Sequence, residues 1–266
     1  MFHVNGRLVE QHHFPAGELD IKLHPLHGAE RIDIVWNYEG DSELFTLACI
    51  RAHYYNKRCF LTVPYLPHAR MDRVKNEEDV FTLRLLANYI NNLAFEKVYV
   101  WDVHSNVAPA LINRCENIQP DIFIKKAIEY LGYSKESLCL FFPDEGAQKR
   151  YGEMFPEYKQ AFGIKKRNWE THKIEGYMIV GEENITGKHV LIIDDICSYG
   201  NTFIKAAEAV NAVGAEGVSL YVTHCEESIN KGNVFPSNLF DHVYTTNSLI
   251  RSDECEDKLI DVSSSY

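Results

Sequence analysis

Two adjacent carboxylates followed by a short polar loop are the residues of this sequence best suited to chemistry. Asp194 and Asp195 come directly after an apolar run, and the loop begins three residues later. Backbone amides in such a loop, together with the N-terminus of a following helix, can bind a phosphate group. The two carboxylates can hold ribose hydroxyl groups, or Mg²⁺ through water. The loop consists of Ser198, Tyr199, Gly200, Asn201 and Thr202.

The elements on either side of this acidic pair predict its position at the edge of a sheet. Residues 190–193 form a β-branched apolar run, which is typical of a strand buried on both faces. Residues 203–210 carry apolar side chains at helical spacing. A strand, a loop and a helix in this order build a ligand site at the carboxyl end of a parallel strand. A plain turn with a solvated acidic pair is the alternative.

Four more predicted strands each run into a polar segment, and they cover residues 60–65, 97–101, 138–142 and 160–164. Because parallel strands end at a shared edge, we expect these segments to meet near the acidic pair. Their side chains supply the positive charge and the Mg²⁺ ligands that phosphoryl transfer requires. The candidate residues are Arg70, Asp72, His104, Asp144, Lys165 and Arg167.

Each group of candidates also has a purely structural interpretation. Arg70 and Asp72 are compatible with a surface ion pair of little energetic value. His104 is compatible with a histidine that only completes the end of a strand. Lys165 and Arg167 are compatible with a solvated loop, although they close an apolar strand in a chain whose net charge is −11.

The alternation of strands and helices predicts the fold class. We expect an α/β protein with two similar halves, each built on a mostly parallel sheet flanked by helices. Helices are expected at 41–56, 81–92, 121–132 and 148–154, and the third should end at Gly132. The predicted domains are residues 1–125 and 126–266.

Composition excludes several classes of function. The chain has 266 residues, 45% of them apolar, and a net charge of −11, which argues against a nucleic-acid partner. Its seven cysteines are scattered without a CxxC pair, which favours free thiols in a reducing cytosol. No basic-then-apolar leader and no run of ~18 apolar residues is found. These features predict a soluble, cytoplasmic protein with no membrane partner.

The acidic pair and its loop resemble a known motif. The pattern DDxxxxGxT after an apolar strand is similar to the phosphoribosyl-pyrophosphate loop of type I phosphoribosyltransferases and ribose-phosphate pyrophosphokinases. In that motif the loop usually reads Asp or Ser, Thr, Gly, Gly, Thr. Here Tyr199 and Asn201 stand where two small residues are usual.

Further segments, taken in chain order, resemble the ribose-phosphate pyrophosphokinase family across roughly residues 14–228. The segment 14–18 is similar to the family's adenine-contacting FSxxE, and 68–72 to its YARQD. Residues 102–104, 142–146 and 165–167 are similar to its DLH, its SPD-GG and its KRR catalytic loop. The resemblance implies that ATP is bound by Phe14, Glu18, Arg70, Asp72 and His104. It implies that the metal is bound by His104 and Asp144, and that Lys165, Arg167 and His104 are catalytic. It also implies that Asp194, Asp195 and the 198–202 loop bind the ribose phosphate.

This resemblance is to a short, divergent member of the family with a type I phosphoribosyltransferase fold, as in phage-type relatives. It implies an Mg²⁺-dependent transfer of the β,γ-diphosphate of ATP to the C1 hydroxyl of ribose 5-phosphate. The products are AMP and phosphoribosyl pyrophosphate. It also implies that residues 1–125 bind ATP, that residues 126–266 hold the ribose-phosphate loop, and that the chain forms a homo-oligomer, a dimer or higher.

Three alternatives remain open from the sequence. Tyr199 offers a ring on which a larger acceptor could stack, so the first alternative is the same chemistry on ADP-ribose, as in NAD resynthesis by short phage-type relatives. A phosphoribosyltransferase that consumes phosphoribosyl pyrophosphate would share the loop but has no use for Phe14 or His104. A non-catalytic regulatory relative is the third alternative, and the retained Lys165 and Arg167 argue against it.

Overall fold

The computed structural model describes residues 1–167, 174–250 and 259–263, and it divides into two units. The first unit is Met1–Gln119 and the second is Pro120–Tyr266. Each unit is built on one large, mostly parallel sheet with helices, so the predicted α/β class is confirmed. None of the helices in the described part of the chain is long and apolar enough to span a bilayer.

The first unit contains a six-stranded sheet in the order β2-β1-β5-β6-β7-β8, with a separate β3-β4 hairpin. Strands β5 to β8 are parallel, whereas β1 and β2 add antiparallel pairs at one edge. The strands are β1 (Phe2–Val4), β2 (Arg7–Leu8), β3 (Gln11–His13), β4 (Leu19–Ile21), β5 (Arg31–Trp36), β6 (Arg58–Val63), β7 (Lys97–Trp101) and β8 (Cys115–Ile118). The helices are α1 (Glu43–His53), α2 (Thr82–Asn92) and α3 (Val107–Leu111).

The second unit contains a seven-stranded sheet in the order β11-β10-β9-β12-β13-β14-β15. All neighbours are parallel except β10 and β11. The strands are β9 (Leu138–Phe142), β10 (Lys159–Arg167), β11 (Ile174–Val180), β12 (His189–Cys197), β13 (Gly217–Cys225), β14 (Val243–Thr245) and β15 (Leu259–Asp261). The α-helices are α4 (Asp121–Leu131), α5 (Glu145–Tyr151) and α6 (Asn201–Ala212), and 3₁₀ turns cover Gly152–Met154, Glu182–Asn184 and Glu227–Lys231.

The central strands of the second unit show why it can carry a site at its edge. Every residue of β9 is buried, and so are the first five residues of β12. Continuous burial of this kind is expected of parallel strands covered on both faces, which confirms the interpretation of residues 190–193. The polar ends of these strands are therefore held on a closely packed support.

Several element boundaries follow local signals, and two differ from expectation, namely the start of α5 and the end of β10. Gly132 has a φ of 70° and ends α4, as predicted. Helix α5 begins at Glu145, earlier than residue 148, because the Asp144 carboxylate accepts a hydrogen bond from the amide of Ala147 at 3.0 Å. Strand β10 continues to Arg167 because it pairs with β11, so Lys165 and Arg167 are strand residues and not part of a loop.

Candidate active site

The candidate active site of the second unit lies where β9 and β12 end. These strands are parallel neighbours, with Ile192 opposite Phe141. Asp144 follows β9. Asp194 and Asp195 lie within the last four residues of β12. The shared edge therefore brings three carboxylates and the start of the 198–202 loop to one side of the sheet, as the strand pattern predicts.

Asp195 is buried and paired with an arginine that the sequence analysis missed. Its Oδ2 atom lies 2.9 Å from Nη1 of Arg150, in the last turn of α5, and the Asp195 side chain is only 5% exposed. A buried carboxylate needs such a partner to offset the loss of hydration. The signal in the sequence was the position of Arg150 on the helix that Asp144 caps, six residues after that cap.

Asp194 has a different environment from its neighbour. It is half-buried, and its Oδ1 atom accepts a hydrogen bond from the Asp195 amide at 2.9 Å. Burial raises the pKa of Asp194 well above its usual range, and the negative charges of Asp195 and then Asp144 add to this. The Asp194 carboxylate is therefore poorly compensated within the described residues of this unit, and a hydroxyl donor or a cation would stabilise it.

The donor set fits Mg²⁺ bound through water and substrate oxygens. Within the described residues no group of three or more His, Cys, Asp or Glu side chains could hold a metal ion on its own. Mg²⁺ usually keeps several waters and binds one or two carboxylates together with substrate phosphates, and seldom uses an all-protein cage. Asp144 supplies a carboxylate of that kind at this edge.

A tyrosine that was not predicted closes the site beside Asp144. The Tyr177 hydroxyl donates to the carbonyl oxygen of Pro143 at 2.8 Å, and its ring covers Gly163, where an added Cβ would lie 2.1 Å from the hydroxyl oxygen. Burial raises the pKa of Tyr177, and the charges of Asp144 and Asp194 raise it further. A glycine inside an apolar strand signals a close approach of this kind.

The loop 198–202 is packed against the segment that follows β13. Gly200 has a φ of 79°, and an added Cβ would lie 2.1 Å from Cγ2 of Val234, so both its backbone and its surroundings require glycine. An added Cβ on Gly232 would lie 2.1 Å from the carbonyl oxygen of Tyr199. The loop backbone is thus tightly supported, while the Tyr199 side chain is 54% exposed.

Two of the five loop residues belong to the following helix. Asn201 and Thr202 are the first residues of the twelve-residue helix α6, with Gly200 at its N-cap. The first amides of a helix have no acceptor within the helix and carry its positive dipole end. The backbone amides of Asn201 and Thr202, together with those of Ser198 and Tyr199, are therefore suited to binding a phosphate monoester.

Lys165 and Arg167 are described by their backbone. In the ladder of β10 with β11, Lys165 is opposite Tyr177 and Arg167 is opposite Ile174, with an irregularity between Lys166 and Arg167. The side chains of Lys165 and Arg167, and all of residues 168–173, lie outside the described part of the structure. The catalytic role expected of these two residues stays a prediction.

The predicted ATP residues after β6 and β7 lie in the first unit. Asp72 is buried and accepts hydrogen bonds from Arg73, at 2.7 Å from Nε and 3.1 Å from Nη2. Arg73 is the main reason why the pKa of Asp72 is lowered, and Ser105 and His104 contribute, so His104 lies near Asp72. Asp72 thus orients Arg73, a residue that was not on the list of candidates, while Arg70 is exposed in the same loop.

Phe14 and Glu18 flank the turn of the β3-β4 hairpin. The Phe14 amide donates to the carbonyl oxygen of Glu18 at 2.9 Å, which closes the turn. The Phe14 side chain is 55% exposed. An exposed aromatic ring beside a carboxylate on a hairpin tip has the chemistry needed to stack on a base and to accept hydrogen bonds from it.

Comparisons with known proteins show which proteins this chain resembles. The family model described as a phosphoribosyl transferase domain matches residues 160–243. The chain is similar to the ribose-phosphate pyrophosphokinase of Pyrococcus abyssi, with 29% identity over 232 residues that cover 84% of this chain and 78% of that protein. It is also similar to the ribose-phosphate pyrophosphokinase of Pyrococcus furiosus, with 29% identity over 225 residues, 81% of this chain and 77% of that protein.

A solved structure shows the same fold. It is phosphoribosylpyrophosphate synthetase from Mycobacterium smegmatis, which superposes with a TM-score of 0.76 at 18% identity. The match covers 96% of this chain and 86% of that chain.

Proposed function

From the premise that this chain belongs to the ribose-phosphate pyrophosphokinase family, we propose that it is an Mg²⁺- and ATP-dependent diphosphotransferase. The C1 hydroxyl of ribose 5-phosphate attacks the β-phosphorus of ATP and loses its proton, and AMP leaves. The new bond yields phosphoribosyl pyrophosphate. The observation that carries the proposal is the edge of the second unit, where the poorly compensated Asp194 carboxylate lies on the strand that leads into the closely supported 198–202 loop.

The chain's own residues would contribute mainly by positioning. Amides of the 198–202 loop and the start of α6 would bind the 5-phosphate. Asp194 would accept hydrogen bonds from ribose hydroxyls, with Asp195 held beside it by Arg150. Fixing the sugar at two points orients its C1 hydroxyl, which is the contribution that this type of transfer needs most.

Charge neutralisation would come from several groups. Mg²⁺, when bound with ATP, would supply positive charge at the phosphate oxygens, and His104 of the first unit and Asp144 of the second are each expected to be a protein ligand of Mg²⁺. Lys165 and Arg167 would stabilise the charge that develops on the transferring diphosphoryl group. Phe14, Glu18, Arg70, Arg73 and Asp72 would bind ATP, and the hairpin tip would do so in a neighbouring subunit of a homo-oligomer.

The release of AMP from Mg-ATP, dependent on ribose 5-phosphate, tests this function. We expect Asp194→Asn to lower kcat/KM for ribose 5-phosphate by roughly a hundredfold while the KM for ATP changes little, because a hydrogen bond to a charged group is lost at the sugar only. Glu208→Gln, on the exposed face of α6, is the control with the same charge change. A wild-type protein that releases no AMP, or that instead consumes phosphoribosyl pyrophosphate with a base, would overturn the proposal.

ADP-ribose is a second candidate acceptor, favoured by Tyr199. Its ring is 54% exposed although the loop backbone around it is closely packed. An exposed ring held on a rigid backbone offers a stacking surface at low entropic cost for a group attached to the 5-phosphate.

The acceptor is decided by AMP release measured side by side with ribose 5-phosphate and with ADP-ribose. If ADP-ribose is the acceptor, Tyr199→Thr/Asn201→Gly should reduce its use by about tenfold, the loss of one stacking contact. Use of ribose 5-phosphate should then improve or stay constant. A strong preference for ribose 5-phosphate that the double variant leaves unaltered would eliminate the larger acceptor.

A further inference from the structure

Two segments of the first unit that follow neighbouring strands contact each other through their side chains. Strands β5 and β6 are parallel neighbours, so the chain leaves both of them at the same edge of the sheet. The ring of Tyr38, after β5, lies 6.2 Å from the ring of Tyr65, after β6, measured between centroids. Further along the two segments, Oδ1 of Asp41 lies 2.9 Å from Nε2 of His68.

The Asp41 carboxylate is the acceptor in two hydrogen bonds. The Tyr38 hydroxyl donates to Oδ1 at 3.0 Å, and His68 is the second partner of the same oxygen. The hydrogen bond from His68 is the main reason why the pKa of Asp41 is lowered, so this carboxyl group is ionised at neutral pH. An ionised carboxylate can only accept hydrogen bonds, and therefore Nε2 of His68 carries the proton and donates it.

The backbone of His68 has a conformation that few residues other than glycine adopt. Its φ is 63°, in the left-handed region. Histidine enters this region more often than most side chains do, but the conformation is strained and persists only where the surrounding contacts hold it. Residues strained in this way are concentrated in segments that bind ligands or take part in catalysis. The hydrogen bond to Asp41 is one of the contacts that hold His68.

His68 is also the first residue of a turn that presents Arg70. The Met71 amide donates to the carbonyl oxygen of His68 at 2.9 Å, which closes a turn of four residues. The Leu83 amide, at the start of α2, donates to the carbonyl oxygen of Met71 at 3.4 Å. Within the turn Ala69 is buried, whereas Arg70 is exposed. The conformation of His68 therefore sets the direction in which Arg70 leaves the surface.

The second arginine of this segment is fixed by a different contact. The buried Asp72 carboxylate accepts a hydrogen bond from Nε of Arg73 at 2.7 Å. The segment 67–73 is thus anchored near its start by the pair of Asp41 and His68, and near its end by Asp72. Both guanidinium groups expected to bind ATP lie on this one anchored stretch of backbone.

We propose that His68 is a positioning residue for ATP binding. Through its hydrogen bond to Asp41 it holds the turn in the conformation that presents Arg70 to the phosphates of ATP. This role rests on the proposed function, since it requires ATP as a substrate. Because His68 acts through Arg70, its loss should raise the KM for ATP, while kcat and the KM for ribose 5-phosphate change little.

Steady-state AMP release, together with calorimetric titration by Mg-ATP without ribose 5-phosphate, tests this role in the full-length protein. We expect His68→Ala to raise the KM for ATP and the Kd of Mg-ATP about fivefold to tenfold, because a charge-assisted hydrogen bond that orders the turn is lost. His68→Gln keeps an N–H donor and should recover most of the affinity. His27→Ala removes an exposed histidine of the same unit and should behave as the wild type does.

A double-variant cycle separates the action of the pair from a general loss of stability. If His68 acts through Asp41, Asp41→Ala should raise the KM for ATP as His68→Ala does, and the double variant should be no worse than either single variant. His68→Gly keeps the test decisive if His68→Ala does not fold, since glycine adopts a φ of 63° without strain.

Three results would overturn the positioning role while AMP release by the wild type persists. These are additive effects of the two alanine substitutions, a KM for ATP in the His68 variants equal to that of His27→Ala, and equal rises in the KM values for ATP and ribose 5-phosphate. A wild-type protein that binds no Mg-ATP and releases no AMP would overturn the proposed function itself, and the positioning role with it.

Discussion

At the scale of single residues, two neighbouring carboxylates of the same strand have opposite electrostatic situations. Asp195 is paired with Arg150, whereas Asp194 lies close to two other negative groups. Although successive strand residues point to opposite faces of a sheet, the charge of Asp195 still raises the pKa of Asp194. Asp194 therefore carries an electrostatic cost that a bound ligand would relieve.

The raised pKa of Asp194 makes a prediction for stability. Between the carboxyl pKa of the unfolded chain and the higher pKa of the folded one, the native state binds more protons, so stability falls as the pH rises. Asp194→Asn removes this cost, and we expect it to raise the Tm, more at pH 8 than at pH 5, while it impairs the use of ribose 5-phosphate. Thermal unfolding of both proteins across this pH range measures the effect. An equal or lower Tm of the variant at pH 8 would contradict it.

Arg150 is expected to stabilise the protein through Asp195. Arg150→Ala leaves the buried Asp195 carboxylate without its partner. We expect the free energy of unfolding to fall by roughly 2–3 kcal/mol, which is less than for a fully buried ion pair because Arg150 is 25% exposed. Denaturant unfolding measures this loss. In the double variant Arg150→Ala/Asp195→Asn the free energy of unfolding should largely recover, because no uncompensated charge remains. A double variant as unstable as Arg150→Ala would show that packing, and not charge, explains the loss.

At the scale of elements, the β10-β11 hairpin changes how its basic residues are understood. Lys165 and Arg167 lie on a paired strand and not in a free loop, since the ladder continues to Arg167. Strand pairing restricts the backbone of both residues before substrate binds. Preorganised charges contribute more to catalysis than charges that must be ordered during the reaction.

Lys165→Ala and Arg167→Ala should each slow turnover without unfolding the protein. A preorganised cation at a transferring phosphoryl group lowers the activation barrier by ~3 kcal/mol, which corresponds to at least a hundredfold increase in rate. Lys159→Ala is the matched control, because it removes the same charge from the exposed start of the same strand. Steady-state rates of AMP release compare the three variants. If the two test variants keep turnover as well as Lys159→Ala does, these residues are not catalytic.

At the scale of the whole molecule, an acidic chain is expected to bind highly charged phosphates. The net charge is −11, so attraction of ATP cannot come from the overall charge. It has to come from local groups such as the Arg73 guanidinium held by Asp72, helix N-termini and bound cations. Each unit places such groups after the strands of its own parallel sheet, which accounts for the alternation of strands and polar segments along the chain.

The sequence by itself determined the α/β class, the strand at 190–193, the end of α4 at Gly132 and the resemblance to ribose-phosphate pyrophosphokinases. These depend on local signals, namely apolar periodicity, glycine conformations and the order of short motifs, and such signals are present in the chain before it folds. The exact first and last residues of several helices and strands were not determined by the sequence. The pairing of β10 with β11 is not local, so the extension of that strand to Arg167 could not be read from its polar residues.

Only the tertiary structure decided which partners the charged side chains have. Arg150 pairs with Asp195 from 45 residues away, Tyr177 covers Gly163, and His189 meets Asp241 across Gly217. Such contacts are set by which strands and helices become neighbours, and the desolvation that shifts the pKa of Asp194 exists only once the surrounding residues exclude water. Residue types and spacing predict which chemistry is available, but burial and distance decide which group is left to bind a ligand.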